Sequence, residues 1–316
     1  MFDNVPDSVL DDVLLSFNLV NNADINKTKK ILYGISNNIY FCYTDFKIKK
    51  KNGKTRNISK PNSLLKHIQK SILNNVLVDR KVSKYATAYI KNKGLIDNAK
   101  CHTNKNIILK LDIKDFFDNI TFTKVYNSCF NENLYPEKIG ILLTNLCIYN
   151  ERLPQGAPTS SYISNIILRD FDEYIGKWCE NNNITYTRYS DDLTFSGDFN
   201  VKEVIYLVKE KLRDMNFKLN YDKIRVISKN KKQKVTGIIV NEKINIDKEY
   251  KRKIRQEIYY IKKYGLDSHI SKIGIKNKET YLNKLLGKIN YVLFILKDNK
   301  EFLEYKEFII SLRKSK

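Results

Sequence analysis

The sequence Tyr189-Ser190-Asp191-Asp192 lies between Tyr186-Thr187-Arg188 and Leu193-Thr194-Phe195, two short runs of residues that favour β-strands. Two such runs around a short polar stretch predict a hairpin whose turn carries both acids. A turn exposes the carboxylates at one edge of a sheet, where they can bind hard cations such as Mg²⁺. Two such ions stabilise the attacking and leaving oxygens in nucleotide polymerisation. An ordinary solvated hairpin also accommodates Asp-Asp, so the prediction depends on the rest of the chain.

A second acidic site follows an apolar strand pattern. Leu111-Asp112-Ile113-Lys114-Asp115-Phe116-Phe117 places a carboxylate where the strand predicted over residues 107–113 ends. An ordinary strand end followed by a capped helix would also explain this string, and Asp115 fits a capping role. If Asp112 converges with Asp191 and Asp192, three carboxylates repel one another unless cations are bound, and such a cluster implies metal.

A third string, Leu153-Pro154-Gln155-Gly156-Ala157-Pro158-Thr159-Ser160, precedes a helical pattern. Gly156 lets the backbone approach a ligand closely, and Gln155 offers an amide that can donate and accept hydrogen bonds to a sugar or base edge. A simple turn before a helix would explain the proline and glycine but not the whole string.

The charge of the chain favours a polyanionic partner. The 316 residues contain 57 Lys and Arg against 35 Asp and Glu, a formal net charge of +22, and such an excess favours nucleic acid. A composition rich in Lys, Asn and Ile would produce part of this charge without function. A membrane surface is the other polyanion, but no apolar run reaches the roughly 18 residues that span a bilayer. We therefore expect nucleic acid and no membrane.

The cysteines and the N-terminus predict a cytoplasmic protein. The five cysteines, Cys42, Cys101, Cys129, Cys147 and Cys179, show no C-x-x-C spacing, so we expect reduced and mostly buried thiols. The N-terminal residues have neither a basic segment nor the apolar stretch of a signal peptide.

Helical and strand patterns are mixed along the chain, which predicts an α+β fold with the acids on one antiparallel sheet. A basic turn, residues 49–54, separates the first two predicted strands. The predicted helices are residues 7–35, 64–76, 159–179, 201–212 and a basic tail from Asp247 that includes 281–296; the predicted strands are residues 41–48, 55–58, 107–113 and 217–227.

Along the chain, the strings that begin at Leu111, Leu153 and Tyr189 resemble, in that order, the motifs of reverse transcriptases. Phe217-Lys218-Leu219-Asn220-Tyr221-Asp222-Lys223 resembles the next motif of that family. The resemblance covers most of residues 45–300. It implies a right-hand polymerase, with N-terminal helices and fingers in residues 1–100, a palm in 101–243 and a helical thumb in 244–316. Fingers helices at about 119–153 would interrupt the palm.

Two further strings resemble motifs of the retron enzymes within this family. Asn98-Ala99-Lys100-Cys101-His102 is similar to their Asn-Ala-x-x-His motif, and Val235-Thr236-Gly237 is similar to their Val-Thr-Gly motif. With no appended endonuclease or maturase module expected, retron reverse transcriptases are the best match. One departure is Ser190, where Ala is common in retron enzymes; both residues are small, so we expect activity to persist.

The resemblance implies roles for residues at the catalytic site. Asp112, Asp191 and Asp192 would bind two Mg²⁺ ions, and the backbone carbonyl of Ile113 would assist. Phe117 matches the bulky residue that excludes a ribose 2′-hydroxyl and so selects deoxynucleotides, although a core position would also explain it.

Other implied roles concern the nucleotide and its leaving group. Gln155 and Gly156 would line the nucleotide and template pocket. Lys223 matches a lysine that protonates the leaving pyrophosphate, although a solvated lysine also fits. Arg56 matches a fingers residue that binds the triphosphate, a task suited to its planar fork, and Lys54 and Lys60 are nearby alternatives.

The RNA-binding residues implied by the resemblance lie in the two retron strings and in the tail helix. A solvated helix face would also explain the basic tail, and a structural histidine would explain His102, which is not expected to bind metal. The predicted RNA-binding residues are Asn98, His102, Val235, Thr236, Gly237, Lys251, Arg252 and Arg255.

The retron resemblance implies an RNA-directed DNA polymerase that uses deoxynucleoside triphosphates to copy part of its own structured noncoding RNA. Priming from an internal guanosine 2′-hydroxyl would give a branched RNA–DNA called msDNA, in an antiphage system with a separate effector protein. A host RNase H would remove the template. The alternatives are a reverse transcriptase of another bacterial lineage, either group II intron or diversity-generating, and a non-catalytic RNA-binding protein on a polymerase scaffold.

Overall fold

The computed structural model describes residues 6–49, 53 and 55–314, and the chain divides into two compact units. The first unit comprises Met1–Gly94 and Leu109–Val226, and the second comprises Leu95–Ile108 and Ile227–Lys316. The units therefore part near residues 94, 108 and 226, whereas the predicted divisions fall at 100/101 and 243/244. The bounds of fingers, palm and thumb stay a prediction.

The described elements mix helices with short strands, which confirms the predicted α+β class. The helices are α1 (Asp7–Ser16), α2 (Ile25–Asn37), α3 (Ser63–Ile72), α4 (Leu95–Lys100), α5 (Phe122–Val125), α6 (Glu137–Cys147), α7 (Ser160–Ile167), α8 (Arg169–Asn181), α9 (Val201–Asp214), α10 (Lys248–Tyr264), α11 (Leu266–Lys272), α12 (Lys278–Ile295) and α13 (Lys300–Lys314). The strands are β1 (Tyr43–Lys49), β2 (Thr55–Pro61), β3 (Ile107–Asp112), β4 (Thr185–Tyr189), β5 (Asp192–Gly197), β6 (Arg225–Ser228), β7 (Lys234–Val235) and β8 (Ile238–Ile239).

The N-terminal helical segment is two helices, so the single helix predicted over residues 7–35 is wrong. Asn18 and Asn22 adopt positive φ values of 46° and 53° between α1 and α2, a conformation that asparagine tolerates better than most residues. Asp24 then caps α2 by accepting a hydrogen bond of 2.8 Å from the backbone N–H of Lys27.

The hairpin predicted from the first two strands is confirmed as the antiparallel pair β1 and β2. Tyr43 pairs with Pro61 at one end, and Ile48 pairs with Arg56 near the other. The predicted basic turn, including the candidate Lys54, lies largely outside the described residues.

A four-stranded sheet with the order β4-β5-β3-β6 carries the predicted acidic strings. β4 and β5 form the predicted antiparallel hairpin, in which Tyr189 pairs with Asp192. Asp112 is the last residue of β3 and Asp192 the first residue of the adjacent β5. The sheet order therefore brings the separate acidic strings to neighbouring strand ends.

Two other predicted elements are wrong as single elements. The helix predicted over residues 159–179 is interrupted at Leu168, whose φ and ψ of −87° and 4° end α7 before α8 begins. The strand predicted over residues 217–227 contains a 3₁₀ turn, Tyr221–Lys223, because Asn220 and Asp222 favour turns. Only the last part of that segment forms a strand, β6.

Each unit has its own apolar core. In the first unit, one cluster contains buried residues of α1, α2, β3, α6 to α9 and the β4–β5 hairpin. In the second, α10 buries Ile254, Ile258 and Ile261, the apolar face of an amphipathic helix, against a cluster that includes α12 residues such as Leu285 and Ile289.

All five cysteines are free thiols, and only Cys101 is exposed, as the sequence predicted. Across residues 6–49, 53 and 55–314, no helix combines the length and apolar character needed to cross a bilayer.

Candidate active site

The Asp-Asp hairpin turns on Ser190 and Asp191. Ser190 has a φ of 61°, the positive value that short hairpin turns require at their first central residue or at both. Its side chain is buried, whereas Asp191 and Asp192 are half-buried. The turn thus presents Asp191, and Asp192 follows it at the start of β5.

Backbone hydrogen bonds tie the end of β3 to this turn. The N–H of Ile113 donates to the carbonyl oxygen of Asp191 over 3.0 Å, and the N–H of Asn220 donates to the carbonyl oxygen of Asp112 over 2.8 Å. Asp112 therefore lies between the hairpin and the Asn220 segment, which fixes the backbone of the three predicted acids to one another.

The Asp112 side chain is almost fully buried and has two partners. Asn220 Nδ2 donates to its Oδ1 over 3.1 Å, and Lys223 Nζ donates to its Oδ2 over 2.6 Å. The Asp112 carboxylate and its neighbours raise the pKa of Lys223 above its ordinary value, although burial opposes that change. Lys223 is therefore held protonated beside the acids.

The electrostatics of the two hairpin acids are those of a crowded anionic site. Burial raises the pKa of Asp191 above its ordinary value, and the nearby Asp112 carboxylate raises it further. Burial likewise raises the pKa of Asp192, followed by repulsion from Asp191. Lys223 and Arg56 oppose the change at Asp191. The acids are close enough to disfavour each other's ionised forms.

The donor set suits a hard divalent cation, since carboxylate oxygens are the ligands that Mg²⁺ prefers. The repulsion among Asp112, Asp191 and Asp192 is the kind that a cation would relieve. However, no group of three or more His, Cys, Asp and Glu residues in the described part of the chain is arranged to hold a metal ion. The ion pair between Lys223 and Asp112 occupies an oxygen that a bound cation would share.

A buried ion pair beneath the hairpin was not predicted from the sequence. The fully buried Arg188 donates from Nη2 to Oδ2 of Asp172 over 2.6 Å, and Asp172 also accepts a bond from the Tyr186 hydroxyl. Arg188 Nη1 further donates to the Ser190 carbonyl and to Asn165 Oδ1, both over 3.0 Å. The network supports the turn, and its only signal in the sequence is a charged residue in an otherwise buried strand.

The predicted turn at Gln155 and Gly156 packs directly on β2. The N–H of Ser59 in β2 donates to the carbonyl oxygen of Gln155 over 2.9 Å. Gly156 has a φ of 134°, and a Cβ there would lie 2.6 Å from the Ser59 carbonyl oxygen. Only glycine fits this approach, which fixes the half-exposed Gln155 beside the strand that carries Arg56.

The two phenylalanines after β3 differ in burial. Phe116 is buried and packs against Phe217, with ring centroids 5.7 Å apart. Phe117 is half-buried and meets Phe116 edge to face at 5.3 Å. Phe117 is therefore partly core and partly surface, so both of the sequence interpretations of this residue remain open.

The two retron-like strings contact each other within the second unit. Thr236 and Gly237 form the turn between β7 and β8, with φ values of 47° and 86°, and Thr236 Oγ1 donates to the Leu95 carbonyl oxygen over 3.1 Å. Leu95 begins α4, the helix that carries Asn98, and Ala99 shares an apolar cluster with Val235. The two strings, which are distant in sequence, therefore belong to segments that pack together in the folded chain.

Three of the five residues predicted to bind RNA in these two strings are not placed to touch it directly. Asn98, His102 and Val235 are buried, and burial, aided by the Lys105 charge, lowers the pKa of His102 to about 3, which keeps the imidazole neutral. Any influence of Asn98, His102 or Val235 on RNA binding must therefore act through the surface that they support.

The three basic residues predicted on α10 differ in their partners. Arg255 forms a two-pronged ion pair with Glu301 on α13, with distances of 2.6 and 2.7 Å, so an RNA phosphate would have to compete for its guanidinium. Lys251 Nζ donates to Asn245 Oδ1 over 3.0 Å. Arg252 is exposed and lines a shallow depression with Arg255, Gln256 and Tyr259, a surface that fits the predicted role.

Comparison with known proteins adds independent findings. Residues 48–240 match the family described as reverse transcriptase (RNA-dependent DNA polymerase). The chain is 33% identical to the retron Ec83 reverse transcriptase of Escherichia coli over 249 residues, which cover 72% of this chain and 78% of the relative. It is 32% identical to the retron Ec86 reverse transcriptase of Escherichia coli over 232 residues, 70% of each chain.

A third relative and one solved structure are also similar. The retron Ec73 reverse transcriptase of Escherichia coli is 30% identical over 291 residues, covering 84% of this chain and 88% of the relative. A structure of telomerase from Candida albicans with a fragment of telomeric RNA aligns with 89% of this chain and 70% of its own, at a TM-score of 0.47 and 12% identity. This last likeness is too weak to bear on function.

Proposed function

Because the chain belongs to the reverse transcriptase family and, within it, to the retron reverse transcriptases, we propose that this RNA-directed DNA polymerase makes msDNA. It copies part of its own structured noncoding RNA, starting from an internal guanosine 2′-hydroxyl. The product is a branched RNA–DNA that acts in antiphage defence in the cytoplasm together with a separate effector protein, and a host RNase H removes the copied template.

The observation that carries the retron part of this proposal is the contact between Thr236 and Leu95. It joins the Val-Thr-Gly turn to the helix of the Asn-Ala-x-x-His string, two features that a general polymerase motif does not explain. Their shared apolar packing supports one function for both, the shaping of a surface for the structured RNA.

The metal proposal is two Mg²⁺ ions held by Asp112, Asp191 and Asp192, with help from the Ile113 carbonyl. When bound, the ions would stabilise the attacking hydroxyl and the departing pyrophosphate. The hydrogen bond from Ile113 to Asp191 and the sheet order keep the acids in register. While no cation is bound, the ion pair with Lys223 partly neutralises the negative charge of Asp112.

Other residues of the proposed site bind the nucleotide and its leaving group. Arg56 on β2 faces an electrostatic environment that includes Asp191 and suits a triphosphate. Gln155 and Gly156, fixed against Ser59, line the nucleotide pocket, and Phe117 excludes a 2′-hydroxyl. Lys223, which is protonated beside Asp112, would supply the proton that the leaving pyrophosphate takes up.

The test is to express the chain with its neighbouring noncoding DNA and to look for short DNA whose 5′ end is freed by debranching. Wild type should make this product, and the variant Asp191→Asn with Asp192→Asn should make none. A control with Asp170→Asn and Asp214→Asn removes the same charge from exposed positions on α8 and α9, and it should match wild type. Primer extension without branched DNA from wild type would overturn the retron proposal.

A further inference from the structure

Backbone strain marks a tyrosine that none of the recognised strings contains. Twelve described residues other than glycine have positive φ, and seven of them are asparagine, which tolerates that region. The other five are Tyr89, Asp115, Glu151, Ser190 and Thr236. Tyr89, with a φ of 60°, is the only aromatic residue in this described set.

Three of the other strained residues lie in the strings that the function uses. Asp115 follows the Asp112 strand, Ser190 forms the Asp-Asp turn, and Thr236 forms the Val-Thr-Gly turn. Strained backbone persists where the surrounding structure enforces it, and such positions cluster at functional sites. The strain at Tyr89 therefore calls for a functional reason of the same kind.

The segment before Tyr89 is held firmly against the catalytic hairpin. The N–H of Arg188 in β4 donates to the Tyr85 carbonyl, and the N–H of Thr87 donates to the Arg188 carbonyl, both over 2.9 Å. Asn165 Nδ2, from the network under the hairpin, donates to the Ala88 carbonyl over 2.8 Å. These bonds fix the position from which the Tyr89 side chain projects.

The Tyr89 ring meets Tyr189, the first residue of the Asp-Asp string. Their ring centroids are 6.4 Å apart and their planes are tilted by 40°, within the range of a favourable aromatic pair. Tyr189 is the cross-strand partner of Asp192, and such partners project from the same face of a sheet. The two rings therefore lie on the face where the Asp192 carboxylate projects.

Packing within the protein does not account for Tyr89. Its side chain is 49% exposed, so much of its ring surface is open to solvent beside the acids. Proteins that bind single-stranded nucleic acid use aromatic rings as stacking surfaces for bases, and the Tyr89 ring lies against Tyr189 of the Asp-Asp string. The reacting strand end must approach the carboxylates to be extended, so its terminal nucleotide is brought to the face that carries this ring.

We infer that Tyr89, together with Tyr189, binds the terminal nucleotide of the strand being extended and holds its attacking hydroxyl toward the acids. The inference rests on the polymerase activity and not on msDNA synthesis. Tyr89 is then a positioning residue for the strand end, and incoming deoxynucleotide binding should depend on it little.

The test measures primer extension on an RNA template with an ordinary DNA primer, using the full chain and separate titrations of primer–template and deoxynucleotide. Tyr89→Asn removes the ring but keeps a residue that tolerates positive φ, and Tyr89→Phe keeps the ring. Tyr206→Asn is the matched control, since Tyr206 is 65% exposed on α9. Thermal melting of each variant reports folding.

We expect Tyr89→Asn to raise KM for primer–template by about tenfold, as loss of a stacking contact implies. KM for the deoxynucleotide and the melting temperature should stay near wild type, and Tyr89→Phe should restore primer binding. Kinetics for Tyr89→Asn that match Tyr206→Asn would overturn the inference. So would a parallel fall in melting temperature and in all kinetic constants, which indicates a structural role. Absence of msDNA in cells would instead count against the proposed function alone.

Discussion

The hairpin that pairs Tyr189 with Asp192 and the hairpin that pairs Val235 with Ile238 have similar short turns but different surroundings. The first turn presents carboxylates whose burial and proximity raise the pKa values of Asp191 and Asp192. The second turn is uncharged, and its Thr236 hydroxyl is bonded to the Leu95 carbonyl. Ionisation of Asp191 and Asp192 therefore lowers stability at the first turn, whereas the Thr236 hydrogen bond contributes to stability at the second.

The difference indicates how each hairpin is maintained. The turn at Ser190 and Asp191 is stabilised by the buried ion pair of Arg188 and Asp172. Both hairpins bury apolar side chains, Leu193 and Phe195 in the first and Val235 and Ile238 in the second, so the difference lies in the charged groups of the first turn. Substitutions in the two regions should accordingly change stability by different amounts and, for the catalytic acids, in the opposite direction.

The largest effect should come from the buried pair beneath the catalytic turn. Asp172→Ala leaves the Arg188 guanidinium buried without its partner, and we expect the free energy of unfolding to fall by about 3–5 kcal/mol. Denaturant unfolding measures this loss. Asp170→Ala, at an exposed site in the same helix, is the control, and a loss for Asp172→Ala no larger than the control's would contradict the prediction.

The next effect should come from the glycine that packs on β2. In Gly156→Ala the new Cβ meets the Ser59 carbonyl oxygen at 2.6 Å, and we expect a loss of about 1–3 kcal/mol. Polymerase activity should fall with it, because β2 carries Arg56. In Gly34→Ala, on α2, the new Cβ meets no atom within 4 Å, so the free energy of unfolding should rise. Equal results for the two substitutions would refute this account.

A smaller effect should follow at the turn between β7 and β8. Thr236→Val keeps the side-chain shape but removes the donor to Leu95, and we expect a loss of about 1 kcal/mol. Thr236→Ser keeps the hydroxyl and should match wild type in thermal or denaturant unfolding. If Val and Ser behave alike, the hydrogen bond does not stabilise this turn.

The smallest effect, of opposite sign, should come from Asp192→Asn in metal-free protein. The folded-state pKa of Asp192 is raised, so the stability linked to its protonation is present below the unfolded-state pKa and lost as pH rises through the folded-state value. Near neutral pH the variant should melt higher than wild type by roughly 2 °C, and the gap should narrow toward acid pH.

Added Mg²⁺ is the control for this last prediction. It should raise the melting temperature of wild type more than that of Asp192→Asn, because the ion relieves the repulsion that the variant lacks. A variant that melts lower than wild type in metal-free buffer would show that the acids do not repel one another in the folded protein.

The sequence predicted those parts of the site that depend on short-range pattern. The hairpin around Asp191, the end of β3 at Asp112 and the Asn-Ala-x-x-His and Val-Thr-Gly strings are local, and their residues were identified without structure. The break of a helix at Leu168 was missed because the apolar pattern continues through it, and the turn at Tyr221–Lys223 was missed although Asn220 and Asp222 favour turns.

Partners distant in sequence could not be predicted. Arg188 looked like an ordinary strand residue until Asp172 and Asn165 were placed beside it. Arg255 looked like a phosphate ligand until Glu301 was found across its guanidinium. The strain at Tyr89 depends on backbone geometry that residue type alone does not specify. Tertiary pairing decides all three.

The central claim is that Asp112, Asp191 and Asp192 form one divalent-cation site for RNA-templated DNA synthesis. The most direct measurement is primer extension on an RNA template over a Mg²⁺ titration, comparing wild type with Asp191→Asn plus Asp192→Asn and with the exposed control pair Asp170→Asn plus Asp214→Asn. The account predicts saturable, Mg²⁺-dependent extension by wild type and the control, and none by the hairpin variant. Extension by the hairpin variant at the wild-type rate would contradict it.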